Sequence, residues 1–302
     1  MQVFVTGATG VMGRSVVSAL LGAGHDVLGL ARSDEGAQSL ADCGIEAVVG
    51  GLFDPDGLVE AFTGSDVVCN LATHVPVGYA AMRPGAWRVN DRIRAEGSRL
   101  VAEAAAAAGV RRLVQESVSM VYADGGETWL TEESPIVVNR ATEPMVLAET
   151  HAQEFAGGPR ESVVLRFGGV MGDDDYTRWR LARARAGQSV AFGGPDGWIH
   201  LINAEDVGTA VLAALTSPGG VYNVGAEPVR RRELAQMLAA AVGRDRSPYA
   251  PRPLIRLGGE RMELLTRSQR VSSEHFMRTT GWKPRHRELT AEWVLGLLPD
   301  VA

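Results

Sequence analysis

Gln2-Val3-Phe4-Val5-Thr6-Gly7-Ala8-Thr9-Gly10-Val11-Met12-Gly13-Arg14 is the stretch of this 302-residue chain that decides its fold. A short apolar run gives way to three glycines at Gly-x-x-Gly-x-x-Gly spacing. These give way to a helical pattern, Val16, Val17, Leu20 and Leu21, which Gly24 ends. The order is strand, tight turn, helix. Glycines at such a turn let the backbone approach a diphosphate closely, and the helix start offers unpaired N–H groups with a partial positive charge. The stretch predicts a dinucleotide site built from Gly7, Thr9, Gly10, Val11, Met12 and Gly13.

Working outward, short turn-bounded apolar runs recur at Asp26–Ala31, Glu46–Val49, Asp66–Leu71, Arg112–Gln115 and Ser162–Phe167, with helical patterns between them. Ser98–Gly109 carries the alanine run Ala104–Ala108, which suits a helix packed closely on a sheet. Strands alternating with helices predict an α/β fold, a Rossmann doubly wound parallel sheet. The expected division is a dinucleotide-binding core over residues 1–170, to which 203–224 return, and a smaller interleaved C-terminal substrate region formed by 171–202 and 225–302.

A composition of 45% apolar and 22% charged residues supports a buried core. The net charge of −6 speaks against a nucleic-acid partner, which calls for a basic face. There is no apolar run of membrane-spanning length and no basic leader with a cleavage site, so a cytoplasmic protein with no membrane partner is expected. Cys43 and Cys69 read as free, buried thiols. The six histidines show no metal-ligand spacing, and no metal site is expected.

The end of the second strand sets the type of dinucleotide, because a carboxylate there holds a ribose 2′-hydroxyl and a cation accepts a 2′-phosphate. Here it reads Ala31-Arg32-Ser33. Arg32 favours NADP(H) over NAD(H), with Asp34 and Glu35 following closely.

Together with Asn70-Leu71-Ala72, Val121-Tyr122, Leu165-Arg166-Phe167-Gly168, Val221-Tyr222-Asn223-Val224-Gly225 and Gly281-Trp282-Lys283-Pro284, these residues resemble the extended short-chain dehydrogenase/reductases, the epimerase/dehydratase branch, over nearly the whole chain. The resemblance implies that Leu71, Ala72 and Thr73 line the nicotinamide ribose and that Phe167 and Gly168 approach the nicotinamide ring. It also implies a homodimer. The family's Tyr-x-x-x-Lys pair is absent: Lys283 is the only lysine, and no tyrosine lies four residues before it. Val146 and Thr150 stand at the tyrosine and lysine positions, Val118 at the serine or threonine position, and Arg94 at that of the helix asparagine. Gly51 replaces an aspartate near the adenine, and no arginine precedes Ile199-His200-Leu201-Ile202-Asn203, which weighs against a sugar-nucleotide substrate.

Substitute proton donors are His74, Ser119, Tyr122, Glu149 and His151, each of which also has a purely local explanation. Arg178, Arg180, Arg183 and Arg185 fit either an acidic substrate or a solvated helix face. The leading expectation is an NADP(H)-dependent oxidoreductase-like enzyme acting on a small, fairly apolar carbonyl or alcohol with a non-standard acid. Two alternatives stay open: a non-redox isomerase, lyase or cyclase, and a dinucleotide-binding regulator without catalysis.

Overall fold

The computed structural model describes residues 1–249 and 259–297; parts of the region 225–302 therefore lie outside the described residues. Seven parallel strands form the central sheet in the order β10-β6-β5-β4-β1-β2-β3. They are β1 (Gln2–Thr6), β2 (Asp26–Ala31), β3 (Glu46–Val49), β4 (Val67–Asn70), β5 (Arg112–Val118), β6 (Glu161–Phe167) and β10 (Gly220–Val224). Alternation along β1 sorts side chains between the two faces. Val3 and Val5 pack with Val16, Val17 and Leu20 of α1 (Val11–Gly22), whereas Phe4 packs with Leu58 and Phe62 of α3 (Pro55–Phe62) and with Val101 of α5 (Ser98–Ala107). Phe4 and Phe62 meet edge to face at 4.9 Å. The alanines of α5 bury Ala102, Ala104 and Ala105, the close approach that the sequence pattern predicts.

β5 runs three residues past the apolar stretch that marks it in the sequence, taking in Glu116, Ser117 and Val118. The strand continues because both polar side chains find buried partners, described below, so burying them does not leave them unpaired. The cysteines differ from each other: Cys69 is fully buried on β4, its thiol pushed up to about 12 by desolvation, whereas Cys43 is exposed at the end of α2 (Asp34–Asp42). The reading of Cys43 as buried is thus corrected. It is the C-cap residue, just past the end of that helix, where the chain turns at the surface and no longer packs as Leu40 does.

A third apolar cluster lies outside the sheet. Met171, Leu181, Ala184, Val190, Leu234, Leu238 and Trp293 bring together α7 (Asp175–Arg185), α9 (Arg231–Ala241) and the chain near 190 and 293. Between these segments the chain returns to the sheet through α8 (Ala204–Ala214), which packs on α1, and β10, which pairs with β6. β1 lies between β4 and β2, so successive crossovers leave it in opposite directions and open a crevice at the carboxyl ends of β1 and β4. That is where a doubly wound sheet binds its ligand.

Candidate active site

The glycine turn lines this crevice. Gly7 has φ +71°, and a Cβ there would come within 2.8 Å of the Leu71 backbone; a Cβ on Gly13 would come within 2.2 Å of the Gly7 carbonyl oxygen. These two positions hold the loop against β4 and against itself. Gly10, by contrast, is exposed, and a Cβ on it would meet only the Gly7 carbonyl oxygen, at 3.3 Å. Gly10 caps α1 with no side-chain hydrogen bond. The first helical N–H satisfied is that of Arg14, by the Gly10 carbonyl at 2.9 Å, leaving the N–H groups of Val11, Met12 and Gly13 without an acceptor among the described residues. This arrangement fits a diphosphate. Thr9 is exposed with Gly10, whereas the side chain of Met12 packs into the core.

Arg32 stands exposed just beyond β2, outside every ion pair and hydrogen bond of the described residues, while Ser33 caps α2 by accepting from Gly36 N–H at 3.2 Å. Leu71 N–H donates to the Thr6 carbonyl at 3.3 Å, which starts the loop Leu71-Ala72-Thr73 off the end of β4. Phe167 is a core residue at 1% exposure and Gly168 is buried: a Cβ on Gly168 would fall within 2.8 Å of Leu201 backbone.

Below the crevice a polar row crosses the sheet. Thr6 Oγ1 donates to Asn70 Oδ1 at 2.6 Å, Asn70 Nδ2 to Gln115 Oε1 at 2.8 Å, and Gln115 Nε2 to the Glu116 carbonyl at 2.8 Å. Further along, Ser117, Arg166 and Asn223 lie abreast on β5, β6 and β10. Arg166 grips Glu149 of α6 (Glu143–Phe155) with Nε to Oε1 at 2.9 Å and Nη2 to Oε2 at 2.6 Å, and Ser117 Oγ donates to Oε1 at 2.5 Å. Arg166 Nη1 donates to the Tyr122 hydroxyl at 2.8 Å, which donates in turn to Asn223 Oδ1 at 2.8 Å.

The structure thus joins two of the five proton-donor candidates, Tyr122 and Glu149, in one network. Both are buried there. Tyr122 is fully buried, and desolvation, outweighing the neighbouring Arg166, pushes its phenol up. Glu149 is 4% exposed and engaged on both oxygens, not on a solvated helix face.

Ser119, 2% exposed, bonds to His200 Nδ1 at 3.0 Å, and His200 Nε2 lies 3.4 Å from Ser273 Oγ. Full burial lowers the His200 pKa to about 3, so the imidazole is neutral. His151 is half-buried against Ser98 Oγ at 2.8 Å, and burial lowers its pKa as well. His74 stands apart from all of these. It is exposed, held by its backbone N–H to Asn90 Oδ1 at 3.1 Å, and its ring has no partner among the described residues. Val118, Met120 and Val146 are partly exposed, so the family's serine and tyrosine positions present apolar surface.

The sequence reading missed the partners. Arg94 sits in a π-turn (Ile93–Gly97) leading into α5 and donates from Nη2 to Glu116 Oε1 at 2.7 Å, with side chains only 4% and 3% exposed. For Arg166 the signal was a charged residue inside the apolar run Val163-Val164-Leu165-Arg166-Phe167, since a buried charge requires a counter-charge; Arg94, in Asp91-Arg92-Ile93-Arg94-Ala95-Glu96, carries no such signal.

Fold and site together define an extended short-chain dehydrogenase/reductase, one without the Tyr-x-x-x-Lys pair. The NAD dependent epimerase/dehydratase family model matches residues 3–225, and the chain belongs to that family. Among relatives, a 3-diazoavenalumate denitrifying reductase of a Streptomyces species is 29% identical over 303 aligned positions, covering 95% of this chain and 97% of the relative. A 4-hydroxy-2-methyl-3-oxo-4-farnesyl-3,4-dihydroquinoline-1-oxide ketoreductase of Stigmatella aurantiaca is 29% identical over 257, covering 80% and 74%. The human epimerase family protein SDR39U1, solved with NADPH, superimposes with a TM-score of 0.78 at 22% identity, covering 98% of each chain. Membership makes the chain an NAD(P)-dependent oxidoreductase- or epimerase-like enzyme. No helix among the described residues is long and apolar enough to cross a membrane.

Proposed function

We propose that the chain is an NADP(H)-dependent reductase that reduces a small, fairly apolar substrate in a pocket between the sheet core and the region formed by 171–202, 225–249 and 259–297. The observation that carries this reading is the intact glycine cradle, together with partly exposed Val118 and Val146 where the resemblance puts the family's serine and tyrosine. Bound NADPH supplies a hydride. Arg32 is free to hold the 2′-phosphate, and Val11, Met12 and Gly13 present N–H groups to the diphosphate. The apolar residues keep water from the reacting carbon.

Reducing a carbonyl requires a proton on oxygen as well as a hydride on carbon, and His74 is the candidate side chain left in reach of solvent to give it. A second reading is favoured by the engagement of Glu149 and Tyr122 in the buried network and by the relative whose name gives a diazo compound as its substrate. Replacing a diazonium nitrogen by hydride releases N2 and draws no proton from the chain. The test is NADPH oxidation, followed at the reduced-cofactor absorbance band, across aldehydes, ketones and an aryl diazonium ion. His74→Phe lowers carbonyl turnover about 10²- to 10⁴-fold and leaves diazonium turnover intact. Tight NADPH binding with no turnover of any substrate in the panel would overturn the redox reading.

A further inference from the structure

Five arginines are buried among the described residues: Arg94, Arg166, Arg180, Arg231 and Arg267. Arg94, Arg166 and Arg267 each have a glutamate partner, and Arg231 bridges the carbonyls of Gly194 and Arg267. Arg180 differs from the rest. It is 4% exposed on α7, and its single protein acceptor is the Val190 carbonyl, 3.3 Å from Nε. Nη1 and Nη2 have no acceptor among the described residues, and neither is among the polar atoms sealed from solvent. A buried cation carries a large desolvation cost unless a counter-charge meets it, and here the forked end is left open.

The surroundings of Arg180 are aromatic. Its guanidinium lies 5.6 Å from the Tyr176 ring, Tyr176 stacks on Trp179 at 5.8 Å, and Trp179 abuts Gly78 of the loop that leaves β4. Arg183, one turn on, donates to the Tyr79 hydroxyl at 3.1 Å and ties α7 to that same loop. Arg180 therefore sits on the side of α7 that faces the segment at Gly78 and Tyr79, downstream of Leu71-Ala72-Thr73.

We propose that Arg180 binds the carboxylate of an aromatic or conjugated acid substrate, its fork matching the two coplanar oxygens and Tyr176 flanking the apolar body. This rests on the reductase reading above and deepens it to a substrate class. The planar guanidinium fork matches the two oxygens of a carboxylate, and phosphate is the competing anion that the test includes.

The test uses the full chain with NADP⁺ and, as probes, trans-cinnamate, methyl cinnamate and inorganic phosphate, with affinities measured by calorimetry. Cinnamate binds more tightly than its ester, and Arg180→Met weakens cinnamate about 10- to 100-fold while leaving the ester and NADP⁺ unchanged. Arg180→Lys, which keeps the charge, retains the preference for acid over ester at several-fold lower affinity, and serves if the methionine variant does not fold. Equal affinity for acid and ester, an unaltered cinnamate affinity in both variants, or displacement of cinnamate by equimolar phosphate overturns the proposal. A chain that prefers cinnamate yet binds no NADP⁺ overturns the reductase reading and leaves the Arg180 assignment standing. A chain that binds NADP⁺ but does not distinguish acid from ester overturns Arg180 alone.

Discussion

Removing the Glu149 carboxylate tests whether this residue is structural or catalytic. Glu149→Leu leaves Arg166, whose side chain is 7% exposed, with an unpaired charge beneath the sheet ends, and takes the acceptor from Ser117. Breaking a buried pair from one side costs about 3–5 kcal/mol, because the remaining charge stays desolvated. With so little exposure on either partner, screening by solvent does not reduce that figure. At about 2 °C per kcal/mol for a chain of this size, the unfolding midpoint falls by roughly 6–10 °C in a calorimetric scan. Glu149→Leu combined with Arg166→Met removes both charges and recovers half or more of the loss, so a double-mutant cycle gives a coupling of about 2 kcal/mol or more. Below its midpoint, the near-isosteric Glu149→Gln keeps kcat within a few-fold of the parent, whereas loss of a general acid costs about 10²–10⁴-fold. A single substitution costing under about 1 kcal/mol, additive losses in the double variant, or a kcat collapse in Glu149→Gln would refute the structural assignment.

Two further outcomes follow from the geometry. Arg32→Ala weakens NADPH about 10-fold or more while leaving NADH within two-fold, read by fluorescence titration; equal losses for both dinucleotides would remove Arg32 from the 2′-phosphate site. His200 is held neutral by burial with a pKa near 3, against 6.5 when unfolded. Because the folded value is the lower, the unfolded chain takes up the extra proton, and stability is lost as pH falls from about 6.5 towards 3. His200→Asn, which offers Ser119 a polar partner, has a shallower acid-unfolding curve across that window in urea titrations; an unchanged slope would exclude His200 as its source.

The alternation of strand and helix, the glycine loop and the loss of the Tyr-x-x-x-Lys pair were legible in the chain because each rests on local spacing. Gly7 and Gly13 sit in a turn of fixed form, and Val118, Val146 and Thr150 can be compared position by position with a motif. Arg32 was likewise placed by its distance from one strand end. Local chemistry sufficed for these.

Tyr122, Glu149 and Arg180 could not be settled in that way. Their roles depend on which strands lie side by side and what covers them: Ser117, Arg166 and Asn223 come from segments up to 106 residues apart and meet only through the register of β5, β6 and β10. Helical periodicity could not tell that Glu149 turns inward onto Arg166, nor that Arg180 alone among the arginines of α7 is buried, because burial is set by the neighbouring elements. The sequence by itself determined the fold and that a dinucleotide is bound. The tertiary structure decided which polar groups pair beneath the crevice and which, such as the His74 ring and the Nη atoms of Arg180, have no partner among the described residues, because the cost of burying a charge is settled only once its partners are assembled.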